Sequence, residues 1–168
     1  GTATVTITDN DAQPTVSVDP ATVVVAETDA PGATATFTVR LSAASAQQVT
    51  VNAATADNTA IAGQDYTTTA AALVFAPGET TKNVVVPILA DTSHEPTESF
   101  RLNLSGAINA TIPPPGQGTG TINDNDPIPT VSVVDASATE ASPVVFTVQL
   151  SNPTSEAVSV DFSTTNVA

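Results

Sequence analysis

The sequence predicts an all-β chain: one complete antiparallel β-sandwich with a piece of another on either side. Three observations predict it. Apolar and polar residues alternate almost throughout, as in half-buried strands with one face on a core and one in water. Turn signals punctuate at short intervals: Asp19-Pro20, Ala30-Pro31-Gly32, Ala76-Pro77-Gly78 and the run Pro113 to Gly116. Finally, long strings return in order. GTATVTITDND at residues 1–11 recurs as GTGTINDND at 118–126, PTVSV at 14–18 as PTVSV at 129–133, and FTVRLS at 37–42 as FTVQLS at 146–151. VTVNAATADNT at 49–59 returns more loosely as VSVDFSTTNVA at 158–168. Asp11 pairs with Asp126, so the period is about 115 residues (126 minus 11), long enough for a whole domain. Residues 1–11 are expected to be the last strand of a preceding repeat, 12–126 a complete domain, and 127–168 the first three strands of a following one.

The strands of the complete repeat are expected near 15–25 (broken at Pro20), 33–42, 48–56, 71–76, 82–90, 97–105 and 117–124. Phe37, Val39 and Leu41 alternate with Thr36, Thr38 and Arg40, and Phe100, Leu102 and Leu104 alternate with Arg101 and Asn103. Thr and Val dominate, which suits a pleated sheet, and no stretch shows a helical stripe. Pro87 cannot donate to a ladder, so its strand should be an edge or bulged. About seven short strands in a repeat of this length is the pattern of an immunoglobulin-like sandwich. Its core has few rings: Phe37, Phe75, Phe100 and Tyr66.

Seventeen acids face three bases, Arg40, Lys82 and Arg101, for a net charge of −14. That balance argues against nucleic-acid phosphates and against anionic membranes, because no basic surface exists to meet them. The chain has no cysteine, so neither disulfides nor thiolate metal sites enter. No apolar run approaches a membrane span.

Seven acids fall where strands should end: Glu27, Asp57, Asp91, Glu95, Glu98, Asp124 and Asp126. Alternate connections of a sandwich gather at one pole. Glu27 lies in the first connection, Asp57 in the third, Asp91, Glu95 and Glu98 in the fifth, and Asp124 and Asp126 close the last strand. All of them should therefore meet. Two like charges about 5 Å apart cost roughly 1–3 kcal/mol at an effective ε of about 80 to 20, so such a pole calls for a cation. Oxygen ligands in loops, without His or Cys, select Ca²⁺ over transition metals. The spacing of Asp124 and Asp126 points both side chains the same way in extended chain, roughly 6–7 Å apart. Turn acids can also be merely solvated. The return of Asp-Asn-Asp in the preceding piece, and of Glu27 as Glu140 in the following one, favours the calcium reading. Other acids read as local: Asp19 before a proline turn, Glu79 in a tight turn before Lys82, and Asp65 as a loop cap beside Tyr66.

Other chemistries fail on composition and spacing. A calcium helix–loop–helix starting at Asp9 would need Gly at its sixth place and Glu at its twelfth, where Pro14 and Pro20 stand. His94 is the only histidine, and its neighbour Ser93 points away from it in extended chain, so they form no nucleophile–base pair. His94 is read instead as a loop residue beside the acidic pole, with a raised pKa. No enzyme activity is expected.

Together, GTINDND, the Glu27 position, ADNTAIAGQDY at 56–66, FAPGET at 75–80 and DTSHEPTESFRLNLS at 91–105 resemble the Calx-beta domain. That family occurs in sodium–calcium exchangers, an integrin subunit and long bacterial surface proteins. The resemblance runs from about Pro14 to Asp126 and into both flanking pieces. It implies an immunoglobulin-like sandwich with calcium ions at one pole, held by Glu27, Asp57, Asp91, Glu95, Glu98, Asp124 and Asp126. The exchanger pattern has longer acidic runs where this chain has Ala90-Asp91-Thr92 and Asp124-Asn125-Asp126, which implies fewer ions or weaker sites. Asn166 stands at the Asp57 position of the third piece.

The expected function is a calcium-stiffened link in an extracellular or cell-surface array, as in a bacterial adhesin or matrix protein. The alternatives are a calcium-dependent carbohydrate- or protein-binding module and a spacer beside an enzyme. Partners are expected to be neighbouring repeats. Other copies of the chain could join through the incomplete ends, residues 1–11 of one molecule beside 127–168 of another.

Overall fold

The computed structural model describes residues 1–6 and 12–165. The complete repeat forms eight strands: β1 (Val16–Val18), β2 (Thr22–Ala26), β3 (Thr34–Leu41), β4 (Val49–Asp57), β5 (Ala70–Phe75), β6 (Thr81–Pro87), β7 (Glu98–Ile108) and β8 (Gln117–Asn123). One sheet has the order β1-β3-β6 and the other β2-β8-β7-β4-β5. The break at Pro20 moves the chain from the first sheet to the second, where β2 runs parallel to β8. All other pairings are antiparallel. Pro87 ends β6, which pairs only with β3 and is therefore an edge strand.

The inward residues of both sheets alternate with exposed ones, as the sequence pattern requires: β3 alternates Ala35, Phe37, Val39 and Leu41 into the core. The aromatic centre of the core is Phe100, which stacks on Tyr66 with centroids 4.4 Å apart and takes the edge of Phe37 at 5.9 Å. β8 makes room for these rings with glycine. A Cβ on Gly120 would lie 2.4 Å from the Phe100 ring, and one on Gly118 would lie 2.7 Å from Val18.

The following piece repeats the start of the domain in detail. β9 (Val131–Val134) and β10 (Thr147–Leu150) pair as Val131↔Leu150, Ser132↔Gln149 and Val133↔Val148. This is the register of Val16↔Leu41, Ser17↔Arg40 and Val18↔Val39. The predicted third strand, near 158–165, does not form. Its counterpart β4 is held between β5 and β7, and among the described residues no strand flanks 158–165. For the same reason Phe146, Val148 and Leu150 are between 40% and 56% exposed, whereas their counterparts Phe37, Val39 and Leu41 are buried. At the other end, residues 1–6 are exposed and carry no strand, and the rest of the expected strand, 7–11, lies outside the described residues.

The packing of β8 against Phe100 yields a stability prediction. Gly120→Ala forces a methyl into the ring and should destabilise the domain by about 1–3 kcal/mol in urea unfolding. Phe162→Ser, at a ring that is 90% exposed, should change the midpoint little.

Candidate metal centre

β2, β4, β6 and β8 all run toward the same pole, so the segments leaving them converge. Glu27 follows β2 directly, and its N–H donates to the Asn123 carbonyl at 2.8 Å, which extends the β2–β8 ladder by one residue. That bond draws the side chain under the loops. Glu27 is 5% exposed and is the one buried charged residue among those described. Burial, then the charges of Asp91, Glu95, Asp124 and Asp126, push its carboxyl up to about 7. A carboxylate responds in this way when it is desolvated among like charges.

The strand-end acids are fixed by their own turns. The Asp124 carboxylate accepts the Asp126 N–H at 3.1 Å, so the DND segment curls over its first side chain. Its other oxygen lies 2.7 Å from His94 Nδ1, and His94 Nδ1 also lies 3.1 Å from the Asp126 carbonyl. Desolvation lowers the His94 pKa, but the bonds to Asp124 and Asp126 outweigh it and the net shift is upward. Asp126 Oδ2 is buried without a hydrogen-bond partner. Burial, then Asp29, Asp124 and Asp91, raise the Asp126 carboxyl against the pull of His94. In the β6–β7 loop, Asp91 accepts the Ser93 N–H at 2.7 Å.

A second group adjoins the first. Asp65, Glu95 and Glu98 each offer an oxygen, all within 4.8 Å of one another. Burial, then a hydrogen bond and charge from Asp65, push Glu98 up to about 7. Burial, then Asp65, Asp91 and Asp124, raise Glu95, which faces both groups.

Asp65 was expected only to cap its loop. It does cap it, accepting the Ile61 N–H at 2.6 Å, and it also stands in the carboxylate group. Asp57 stands apart. Its Oδ1 accepts the Tyr66 hydroxyl at 2.5 Å and the Ala62 N–H at 2.9 Å. Those bonds hold its carboxyl below the usual range, the Tyr66 bond first. The tyrosine is pushed up to about 12, by burial first and then by Asp57. Asp57 is not among the leading charges acting on Glu27, Glu95, Glu98 or Asp126. The string AGQDY carried the signal for Asp65: it places an acid in a turn at the strand-end pole, next to Tyr66, which lies in the core.

The donor set is all oxygen apart from His94. The three bases lie elsewhere: Arg40 pairs with Asp19, Lys82 with Glu79, and Arg101 bonds Asn58. An unpartnered buried oxygen on Asp126, and a desolvated Glu27 with no basic partner among the described residues, fit a hard divalent cation.

The sequence model of the Calx-beta domain matches residues 9–126, more than half of the chain. The chain belongs to the Calx-beta family. Among solved structures it resembles the apo-form Calx CBD1 domain, with 22% identity and a TM-score of 0.59, over 68% of this chain and all of that one. It also resembles the calcium-binding domain CBD12 of CALX1.1 (22% identity, TM-score 0.62) over 72% of this chain and 50% of that one, so it spans half that structure's length. The Calx CBD2 domain shares 15% identity at a TM-score of 0.57, over 68% of this chain and 91% of that one. No curated protein matches the chain. At these identities the likeness is one of fold, an immunoglobulin-like sandwich, here with no helix among the described residues.

The shifted carboxyls predict an unusual pH response for this Calx-beta domain without metal. Glu27 and Glu98 titrate near 7 when folded and near 4.5 when unfolded, so between those values the folded state binds more protons. The raised His94 acts in the same direction. Stability in chelator should therefore rise as pH falls from about 8 to about 5. Thermal melts in chelator that weaken over this range would contradict the shifts.

Proposed function

We propose that the complete domain binds calcium at this pole, and that the ion stiffens the junction with the domain that follows. The observation that carries the reading is the burial of Glu27 and of Asp126 Oδ2 among carboxylates with no Lys or Arg to neutralise them. Glu27, Asp91, Asp124 and Asp126 would hold one ion, Asp65 and Glu98 a second, and Glu95 would serve both. Calcium would supply the positive charge that these oxygens lack. The relatives' description as calcium-binding domains supports the same ion.

Stiffening is supported by where the pole lies. Asp126 leads directly into Pro127-Ile128-Pro129, a short linker with little freedom. Across the junction, the His94 N–H donates to the Pro153 carbonyl at 3.0 Å, and the Ser155 N–H donates back to His94 at 3.1 Å. The loop that offers Asp91 and Glu95 to a cation therefore also touches the next domain. Sites of this type in extracellular modules bind at about 10⁻⁴–10⁻³ M, which matches the calcium outside a cell. We place the protein there, as a non-catalytic link of a surface or matrix array.

Calorimetric titration of the full chain with Ca²⁺ tests this, together with melting in calcium and in chelator. Calcium at 100 times Kd should add about 2.7 kcal/mol of stability by mass action. No heat of binding and an unchanged Tm would refute the reading. Two variants separate the acids of one loop. Asp65→Asn should weaken calcium binding at least tenfold. Asp57→Ala should keep most of the affinity and instead destabilise the calcium-free domain by about 1–3 kcal/mol, the cost of leaving the buried Tyr66 hydroxyl unpaired.

A further inference from the structure

The contact across the junction has two halves, and the complete domain carries a copy of each. One half is the His94 loop at the carboxylate pole. The other is the turn after β10, where Pro153 and Ser155 receive His94 and the Thr154 hydroxyl donates to the His94 carbonyl at 2.9 Å. By the internal repeat, Ser151 to Glu156 correspond to Ser42 to Gln47, the turn after β3 at the opposite pole.

The two turns share three bonds, although Asn152, which bonds the Pro127 and Pro153 carbonyls, has Ala43 as its counterpart. Thr15 N–H donates to the Ser42 hydroxyl at 2.9 Å, and Thr130 N–H to Ser151 at 2.9 Å. Ser42 N–H returns to Thr15 at 2.9 Å, and Ser151 N–H to Thr130 at 3.0 Å. Gln47 N–H donates to the Ser45 hydroxyl at 3.0 Å, and Glu156 N–H to Thr154 at 3.1 Å. Ser45 thus accepts as Thr154 does, which leaves its proton free to donate outward. The Ala44 carbonyl and the Ala46 N–H correspond to the groups of Pro153 and Ser155 that hold His94. Neither has a hydrogen-bond partner among the described residues, and both residues are exposed.

A cavity of about 350 Å³ lies beside this turn, lined by Gln13, Pro14, Ala44, Ser45, Gln47 and Asn109 among others. Apart from Asn109, its walls are the counterparts of Pro127-Ile128-Pro129 and of the Pro153–Glu156 turn. At the filled junction His94 sits against that turn, with its ring on the Asp126 carbonyl where the linker begins.

We propose that this cavity is a docking site for the His94 loop of another complete domain placed ahead of it. The Ala44 carbonyl would accept that domain's His94 N–H, and the Ala46 N–H and Ser45 hydroxyl would donate to its His94 carbonyl. Each domain then presents both sides of one heterologous contact, and an array grows by repeating a single rotation and translation. The inference rests on reading the protein as a link between domains.

The test is a tandem in which a second copy of residues 12–126 precedes Ala12 at the native spacing, followed by the chain to its end. Segmental labelling lets amide exchange at the two His94 positions be read separately by NMR. Both His94 amides should be slowed to within tenfold of each other. Ala46→Pro in the downstream domain should speed the upstream His94 amide at least tenfold and leave the downstream one unchanged. Ser155→Pro should do the reverse. If Ala46→Pro disturbs folding, Ser45→Val keeps every backbone donor and should still speed the upstream amide. An upstream His94 amide exchanging at the free-chain rate in the unmutated tandem overturns the proposal. Calorimetry on the same tandem keeps the readings apart: calcium uptake with a freely exchanging upstream His94 defeats the docking site alone, whereas a protected His94 without calcium uptake defeats the metal reading alone.

Discussion

Desolvation of acidic side chains at one pole is the constraint to which the rest of the fold answers. The Glu27 carboxylate sits below the surface because β2 continues its ladder with β8 as far as the Asn123 carbonyl. Its neighbours arrive because four strands of a two-sheet sandwich end on the same side. None of this favours folding by itself. The favourable terms lie away from the pole, in the Phe37–Phe100–Tyr66 ring cluster and the alternating Val and Leu faces around it. The domain holds its charges together with apolar burial elsewhere and with partial protonation of Glu27 and Glu98 near neutral pH. A divalent cation bound there would do the same work without protons, so metal and proton would compete for the same carboxylates.

His94 offsets part of that repulsion from within the chain. Its ring meets the Asp124 carboxylate while its backbone bonds the next domain. One residue therefore joins the electrostatics of the pole to the geometry of the junction. The pair is largely covered, so the cost of taking both groups out of water offsets much of their attraction. Its larger effect is to hold the β6–β7 loop across the DND segment, which fixes Asp91 and Glu95 opposite Asp124 and Asp126.

The strands were legible because a sandwich with one wet face per sheet writes its burial directly into a period of two. The break at Pro20, the edge position of Pro87 and the convergence of alternate loops all followed from local chemistry. Two features were not legible, for separate reasons. Asp57 and Asp65 lie eight positions apart in the segment after β4, and both are acids at a strand-end pole. What separates them is Tyr66. Its ring is locked onto Phe100, so its hydroxyl must find an acceptor, and the backbone turn at Gly63 brings it to Asp57. That is a tertiary fact which spacing does not encode. The missing third strand of the following piece is the other case. Its sequence alternates as β4 does, but alternation states only which face would be buried, and a strand needs partners on its flanks to exist.

The two poles of the domain differ in what they ask of a neighbour. At the acidic pole the polar groups are crowded, charged and partly stripped of water. At the opposite pole they are a neutral carbonyl, an N–H and a hydroxyl on an exposed turn, readily hydrated when nothing is bound. Joining them therefore removes little water from the second surface, and it adds a neutral cover to loops that already carry strong repulsion. A contact of this kind is weak as a free association, because a few hydrogen bonds do not offset the lost freedom of two separate bodies. Held by a linker as short as Pro127-Ile128-Pro129, the same bonds would form at high effective concentration, enough on our proposal to select one orientation. Covalent linkage, more than surface area, would let so small a contact define the direction of the chain.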